Sequence, residues 1–181
     1  MLIMMNTKSI PIFKTRLPGI INTKVDSLYM RSISTEDADN FLELSLDKEI
    51  ARFNNFNIHN KEESKNKIDI FTGEIKRKER FSYSIIKNNR FVGYYGIWIE
   101  TNHLNYFREG IAILPDYRRQ GIYTLCSDSM VAVLSDLHKE VYLVNNIDSK
   151  NTTSIIASKQ RGFIQEGFNE IGELRYIKRI L

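Results

Sequence analysis

Cysteine is nearly absent from this chain of 181 residues. The single Cys126 excludes an intramolecular disulfide framework and fits a reducing compartment, so the cytoplasm is the expected location. Long apolar runs are missing too. Nothing approaches the roughly 20 consecutive residues that a membrane-spanning helix needs, and the apolar start Met1–Met5 is soon interrupted by Lys8 and Lys14, without the layout of a secretory signal. No membrane partner is expected. Histidine is scarce, and His59, His103 and His138 stand too far apart for ligand spacing, so no metal is expected. A strong charge of one sign is also lacking. Lys plus Arg exceed Asp plus Glu only by 26 to 22, and the surplus is spread along the chain, so nucleic acid is not an expected partner. A mild basic surplus suits a phosphate-bearing ligand without identifying one.

What is present is enough apolar content, 42 % of residues, to fill one core. Residues 1–27 hold Pro11, Pro18 and Gly19 without sustained periodicity and read as an N-terminal arm or extra edge; residues 28–181 read as one domain. Leu28–Ile33 is strand-like and runs into Ser34-Thr35-Glu36-Asp37, a helix-start pattern, with Ala38, Phe41, Leu42 and Leu46 as the expected buried stripe. Ile68, Phe71 and Ile75 mark an amphipathic helix between about 60 and 80. Two strands follow, Phe81–Lys87 and Phe91–Glu100, joined by Asn88-Asn89, a pair suited to the positive φ of a tight hairpin. The second strand is apolar on both faces, which predicts a central strand in a sheet covered on both sides. Tyr94, Tyr95 and Trp98 on it suit either an acceptor pocket or core packing. A strand from Tyr106 to Leu114 ends at Pro115-Asp116. Ile122, Leu125, Cys126, Val133 and Leu137 then mark a helix, with Cys126 on its apolar stripe. Val141–Val144 reads as a strand, Asn151–Arg161 as a helix, and Phe163–Phe168 and Leu174–Ile180 as closing strands. The expected fold is α/β, a mixed, mostly antiparallel sheet flanked by helices.

Chemistry concentrates at Arg118-Arg119-Gln120-Gly121, where a strand turns into a helix. Unsatisfied N–H groups and the positive end of the helix dipole favour an anion there, and glycine lets a ligand approach the main chain. A charged loop that merely caps the helix would look the same.

With those elements around it, the segment resembles the GNAT superfamily of N-acetyltransferases. Their coenzyme A signature, Arg/Gln-x-x-Gly-x-Gly/Ala, is matched by Arg118 and Gly121 and departed from at Tyr123. Glu109-Gly110-Ile111, Leu114-Pro115-Asp116-Tyr117-Arg118, Asn151-x-x-Ser154 and Gly162-Phe163 resemble the ribosomal-protein alanine N-acetyltransferase branch. The resemblance implies a GNAT-like sheet with helices on both faces and two strands splayed around the pantetheine arm of acetyl-CoA. It places Ile111 and Ile113 along that arm, Arg118, Arg119, Gln120, Gly121, Ile122, Tyr123 and Thr124 around the pyrophosphate, and Asn151 against the arm. Direct transfer to a primary amine is implied, the acceptor being a protein N-terminus or a small amine.

Glu109 is the candidate base or water-relay residue, since its strand position aligns it with Phe107, Ile111 and Ile113 on an apolar face. A strand-end glutamate that reaches solvent or pairs with a cation is the alternative. Many members use a tyrosine seven residues after the helix asparagine to protonate the leaving thiolate; here that position is Ser158, and the branch points to Ser154 instead. Asn151 and Ser154 also suit a simple helix cap. A GNAT-like domain that binds coenzyme A or a protein without catalysis is the competing expectation, and a homodimer is left open.

Overall fold

The structure, a computed structural model, describes residues 11–54, 56–100 and 105–180. Among them eight strands form one sheet: β1 (Ile20–Asn22), β2 (Leu28–Ser32), β3 (Arg80–Lys87), β4 (Arg90–Ile99), β5 (Tyr106–Ile113), β6 (Tyr142–Ile147), β7 (Ile164–Phe168) and β8 (Leu174–Arg179). Their spatial order is β1-β2-β3-β4-β5-β6-β8-β7. Five α-helices accompany them: α1 (Ala38–Leu46), α2 (Lys48–Phe53), α3 (Lys61–Arg77), α4 (Ile122–Leu137) and α5 (Thr152–Gln160). Neighbouring strands are antiparallel except β5 and β6, which run parallel.

The β3–β4 hairpin turns at Asn88 and Asn89 with φ of 50° and 60°, the left-handed values that asparagine tolerates well. Alternation along β4 then distributes its aromatic rings. Tyr94 stacks on Phe71 of α3 at 5.4 Å and lies 5.6 Å from Phe41 of α1. Tyr95 points to the opposite face, where α4 packs. Helices thus cover both faces, and β4 is buried from Phe91 to Ile97.

One expected buried residue is exposed, and two further details go beyond the sequence pattern. Leu46 is 53 % exposed because α1 stops there; Leu44 and Ser45 turn inward instead. In α4 the buried face follows Ile122, Cys126, Met130 and Leu134, spaced by four, whereas Leu125 and Val133 are half-buried and Leu137 is 42 % exposed. Helix α2 was not anticipated. It starts where the Asp47 carboxylate accepts the N–H of Ile50 at 3.0 Å, and its six residues are too short to show a period. The arm, where described, joins the same core: Phe13, Leu17 and Ile21 are buried, and Phe13 meets Phe81 edge-on at 5.1 Å.

Asp37 ties the entry of α1 to the sheet. It is 2 % exposed and accepts from Arg31 of β2 at 2.8 and 2.6 Å, from the Ser34 N–H at 3.0 Å and from the Ser84 hydroxyl of β3 at 2.7 Å. Removing such an acceptor strands three donors. Asp37→Ala is expected to cost about 2–4 kcal/mol, read as a lower urea midpoint at unchanged slope. Asp39→Ala, on the exposed pair with Lys61, should change stability by less than about 0.5 kcal/mol.

Candidate active site

Strands β5 and β6 pair only at Tyr106 with Tyr142, Phe107 with Leu143 and Arg108 with Val144. Beyond that point β5 stays with β4 as far as Ile113, and β6 stays with β8 as far as Ile147. The two strands therefore part after Arg108 and Val144 and leave a gap between them. The Leu114 N–H donates to the Val92 carbonyl at 3.0 Å, which turns the even-numbered residues of β5 toward β4. By alternation the main-chain groups of Ile111 and Ile113 face the gap.

At the open end of the gap the chain passes through a short 3-10 turn, Pro115–Tyr117, into the loop that opens α4. Arg119 and Gly121 both lie in the left-handed region, with φ of 60° and 72°. A Cβ on Gly121 would meet nothing within 4 Å, so glycine is needed for its backbone conformation rather than for space. Gly121 caps α4, and the first N–H groups of the helix, on Ile122, Tyr123 and Thr124, have no intrahelical acceptor. An anion is therefore favoured at this turn.

Two side chains of the loop, Arg118 and Gln120, are committed to the protein. Arg118 donates to Glu49 Oε2 and Asp47 Oδ1, both at 2.6 Å, and through Nε to the Ile113 carbonyl at 3.0 Å. Arg118 thus anchors α2 to the end of β5. Gln120 accepts from Lys87 at 2.5 Å and donates to the Asp116 carbonyl at 2.9 Å. The loop presents outward its main chain and the exposed side chain of Arg119.

Glu109 stands where the gap begins, with 1 % of its side chain exposed. The sequence places it among apolar strand neighbours, yet four donors from other elements converge on it. Tyr95 and Ser127 donate to Oε2 at 2.7 Å each, Tyr123 donates to Oε1 at 2.7 Å, and Arg161 approaches Oε1 at 3.5 Å. Arg161 also binds Asp128 at 2.9 Å and lies 4.4 Å over the Tyr123 ring. Burial, reinforced by the Glu109 charge, pushes the phenols of Tyr95 and Tyr123 well above their ordinary range. The same two causes push the Cys126 thiol up to about 12.

The β6 side is joined to this cluster through Asn145, whose Nδ2 donates to Tyr123 Oη at 2.9 Å and to Ser158 Oγ at 3.1 Å. Asn151 caps α5, its Oδ1 accepting the Ser154 N–H at 3.1 Å. Both residues sit at the first turn of α5, and among the described residues no hydrogen bond links either to Glu109 or Tyr123. A cavity of about 480 Å³ lies next to them, lined by Lys48, Glu49, Arg52 and Phe53 of α2 and by 150–153.

Of the predicted residues, Glu109 and Tyr123 meet directly, while Ile111, Ile113 and the turn 118–124 border the same gap. Sequence reasoning missed Asn145, Ser127 and Arg161. Asn145 follows an apolar strand run and Arg161 precedes Gly162-Phe163, and neither pattern announces a partner. Tyr94 and Tyr95 are buried and belong to the core, and Trp98 lies against Arg80 at 4.2 Å. No metal-binding cluster occurs among the described residues; His103 lies outside them. No helix of the described residues is long and apolar enough to cross a membrane.

Two outcomes follow from the electrostatics. Cys126 should not react with a disulfide reagent at pH 8 until the protein is unfolded by denaturant. For Asp47, burial works to raise the carboxyl, but the bonds from Arg118 and the Ile50 N–H outweigh it and hold it below the ordinary 3.8. That stabilisation is present above pH 3.8 and is lost as pH falls through the lower folded value. Arg118→Ala should therefore cost about 1–2 kcal/mol at pH 7, and the difference from the parent protein should shrink in unfolding titrations run below about pH 4.

Residues 27–164 match the family model described as acetyltransferase (GNAT) domain. No curated protein matches the chain. Among solved structures, the chain is similar to RimL, a ribosomal L7/L12 alpha-N-protein acetyltransferase in complex with coenzyme A, with TM-score 0.76 and 16 % identity over 89 % of this chain and 98 % of that one. It is also similar to the microcin C7 self-immunity acetyltransferase MccE in complex with acetyl-CoA and AMP, with TM-score 0.73 and 16 % identity over 86 % and 94 %. For Mycobacterium smegmatis RimJ in complex with a CoA-disulfide the TM-score is 0.72, at 14 % identity over 90 % and 87 %. At such identities the likeness is one of fold, whereas the family match spans most of the sequence: the chain belongs to the GNAT acetyltransferase domain family.

Proposed function

We propose that the chain transfers an acetyl group directly from acetyl-CoA to a primary amine. The observation that carries this reading is the divergence of β5 and β6 after Arg108 and Val144 beside the open N-terminus of α4. A pyrophosphate suits the N–H groups of 119–124. A pantetheine arm, which carries two amides, suits the edge of β5 at Ile111 and at the Ile113 N–H, beside the Ile113 carbonyl that Arg118 holds, as an added strand would. Main-chain N–H groups on that edge then stabilise the oxyanion formed when the amine attacks the thioester.

Glu109 is enclosed, so the amine's proton reaches it through the Tyr123 hydroxyl, which is bonded to Oε1 and to Asn145 on the β6 side of the gap. Tyr123 takes the incoming proton as its own passes to Glu109. Ser154 supplies the proton to the leaving thiolate, and Asn151, besides capping α5, orients the arm. The acceptor approaches through the cavity between α2 and α5. It is a protein N-terminus, as for RimL, or a small amine, and the reaction belongs in the cytoplasm, where the lone cysteine stays reduced.

A second reading, coenzyme binding without catalysis, is favoured by Tyr123 itself, whose hydroxyl occupies the start of the gap. Thiol release from acetyl-CoA across an amine panel separates the two. Transfer predicts amine-dependent release. Glu109→Gln is expected to lower kcat by about 10²–10⁴-fold with the acetyl-CoA Kd within about threefold. Ser154→Ala should lower kcat and alter the alkaline limb of its pH profile. Tight coenzyme binding with no release on any amine establishes the binder instead.

A further inference from the structure

We infer that Tyr123 sets the length of acyl chain the site accepts: its side chain forms the floor of the gap between β5 and β6, so that a two-carbon acyl group fits and a longer one does not. The inference rests on the coenzyme reading above and goes beyond it by naming the residue that limits the donor's acyl chain.

The placement of the hydroxyl is specific. Arg108 and Val144 are the last paired residues of β5 and β6, and Glu109 and Asn145 are the next residue on each strand. Those two side chains are the ones that hold Tyr123 Oη, at 2.7 and 2.9 Å. The tyrosine belongs to the first turn of α4, so its side chain runs from the phosphate turn to the point where the strands part. An arm anchored at that turn and laid along Ile113 and Ile111 delivers its acyl end toward the same point.

The floor is held from several sides. Tyr95, Ser127 and Arg161 complete the shell of Glu109. Ser158 holds Asn145 at 3.1 Å, and Asp128 holds Arg161 at 2.9 Å beside the ring. Pushing Tyr123 aside takes a donor from a carboxylate whose side chain is 1 % exposed, so the floor does not yield readily. Methylenes forced against it would meet polar groups already satisfied by one another. Discrimination by one added methylene is worth about 10- to 200-fold where a pocket is closed.

Binding of acetyl-, butyryl- and hexanoyl-CoA by the full chain, followed by isothermal titration calorimetry, tests this without relying on turnover. The unaltered protein is expected to bind hexanoyl-CoA at least about tenfold more weakly than acetyl-CoA. Tyr123→Ala should bring the two within about twofold, and Tyr123→Phe, which keeps the ring, should retain the discrimination. Tyr123→Leu is the second shortened variant if the alanine protein melts early. Equal binding of the acyl series by the unaltered protein overturns the inference. So does an unchanged ratio in both shortened variants, or a uniform gain for every donor, which would make Tyr123 an obstacle to the arm. Absence of binding by all donors to the unaltered protein overturns the coenzyme reading itself and this inference with it.

Discussion

A carboxylate with 1 % of its side chain exposed has to be surrounded by donors, and meeting that requirement for Glu109 determines how the elements stand around the gap. Tyr95 comes from β4, Tyr123 and Ser127 from α4, and Arg161 from the end of α5. Each of those elements is pinned by the bond it contributes. Arg161 carries the compensating charge with only 8 % of its side chain exposed. Its own burial acts to lower its pKa, while Tyr123 and Glu109 more than reverse that. The charge at the start of the gap is therefore a structural hub before it is anything chemical. Its reach into chemistry passes through Tyr123, the member of the shell that also touches β6.

The gap begins where the pairing of β5 with β6 ends, at Arg108 and Val144, while β5 goes on with β4 to Ile113 and β6 with β8 to Ile147. The edge left unpaired there is stable only if it meets water or a ligand with matching amides. The loop before α4 is built on the same economy of side chains. Arg118 and Gln120 bind protein groups on either side, and left-handed turns at Arg119 and Gly121 shape the main chain between them. Edge and loop together form one continuous strip of main chain, from the divergence of the strands to the helix N-terminus. A coenzyme that is an amide-bearing arm attached to phosphates has the same order of groups.

Much of this was legible in sequence where the cause is local. Asn88-Asn89 makes the hairpin because asparagine tolerates positive φ, Gly121 opens α4 for a related reason, and the two-faced apolar pattern of β4 places it centrally. Helix ends were less legible, since Leu46 and Leu137 continue a pattern that the helices do not. Helix α2 leaves no periodic trace. The surroundings of Glu109 were hidden because they are assembled from afar: Arg161 lies 52 residues downstream and Asn145 meets Tyr123 across 22. The anchoring bonds of Arg118 are hidden for the same reason: Asp47 and Glu49 lie 71 and 69 residues upstream, and no spacing rule connects them.

The central claim is that the strip of main chain from Ile111 to Thr124 receives the coenzyme. Residue-resolved amide hydrogen exchange, measured with and without coenzyme A, tests it most directly. The account predicts slowed exchange at Ile111, Ile113 and the turn 119–124, with β1 and β2 unchanged. Coenzyme binding that protects other amides and leaves this strip unaffected would contradict it.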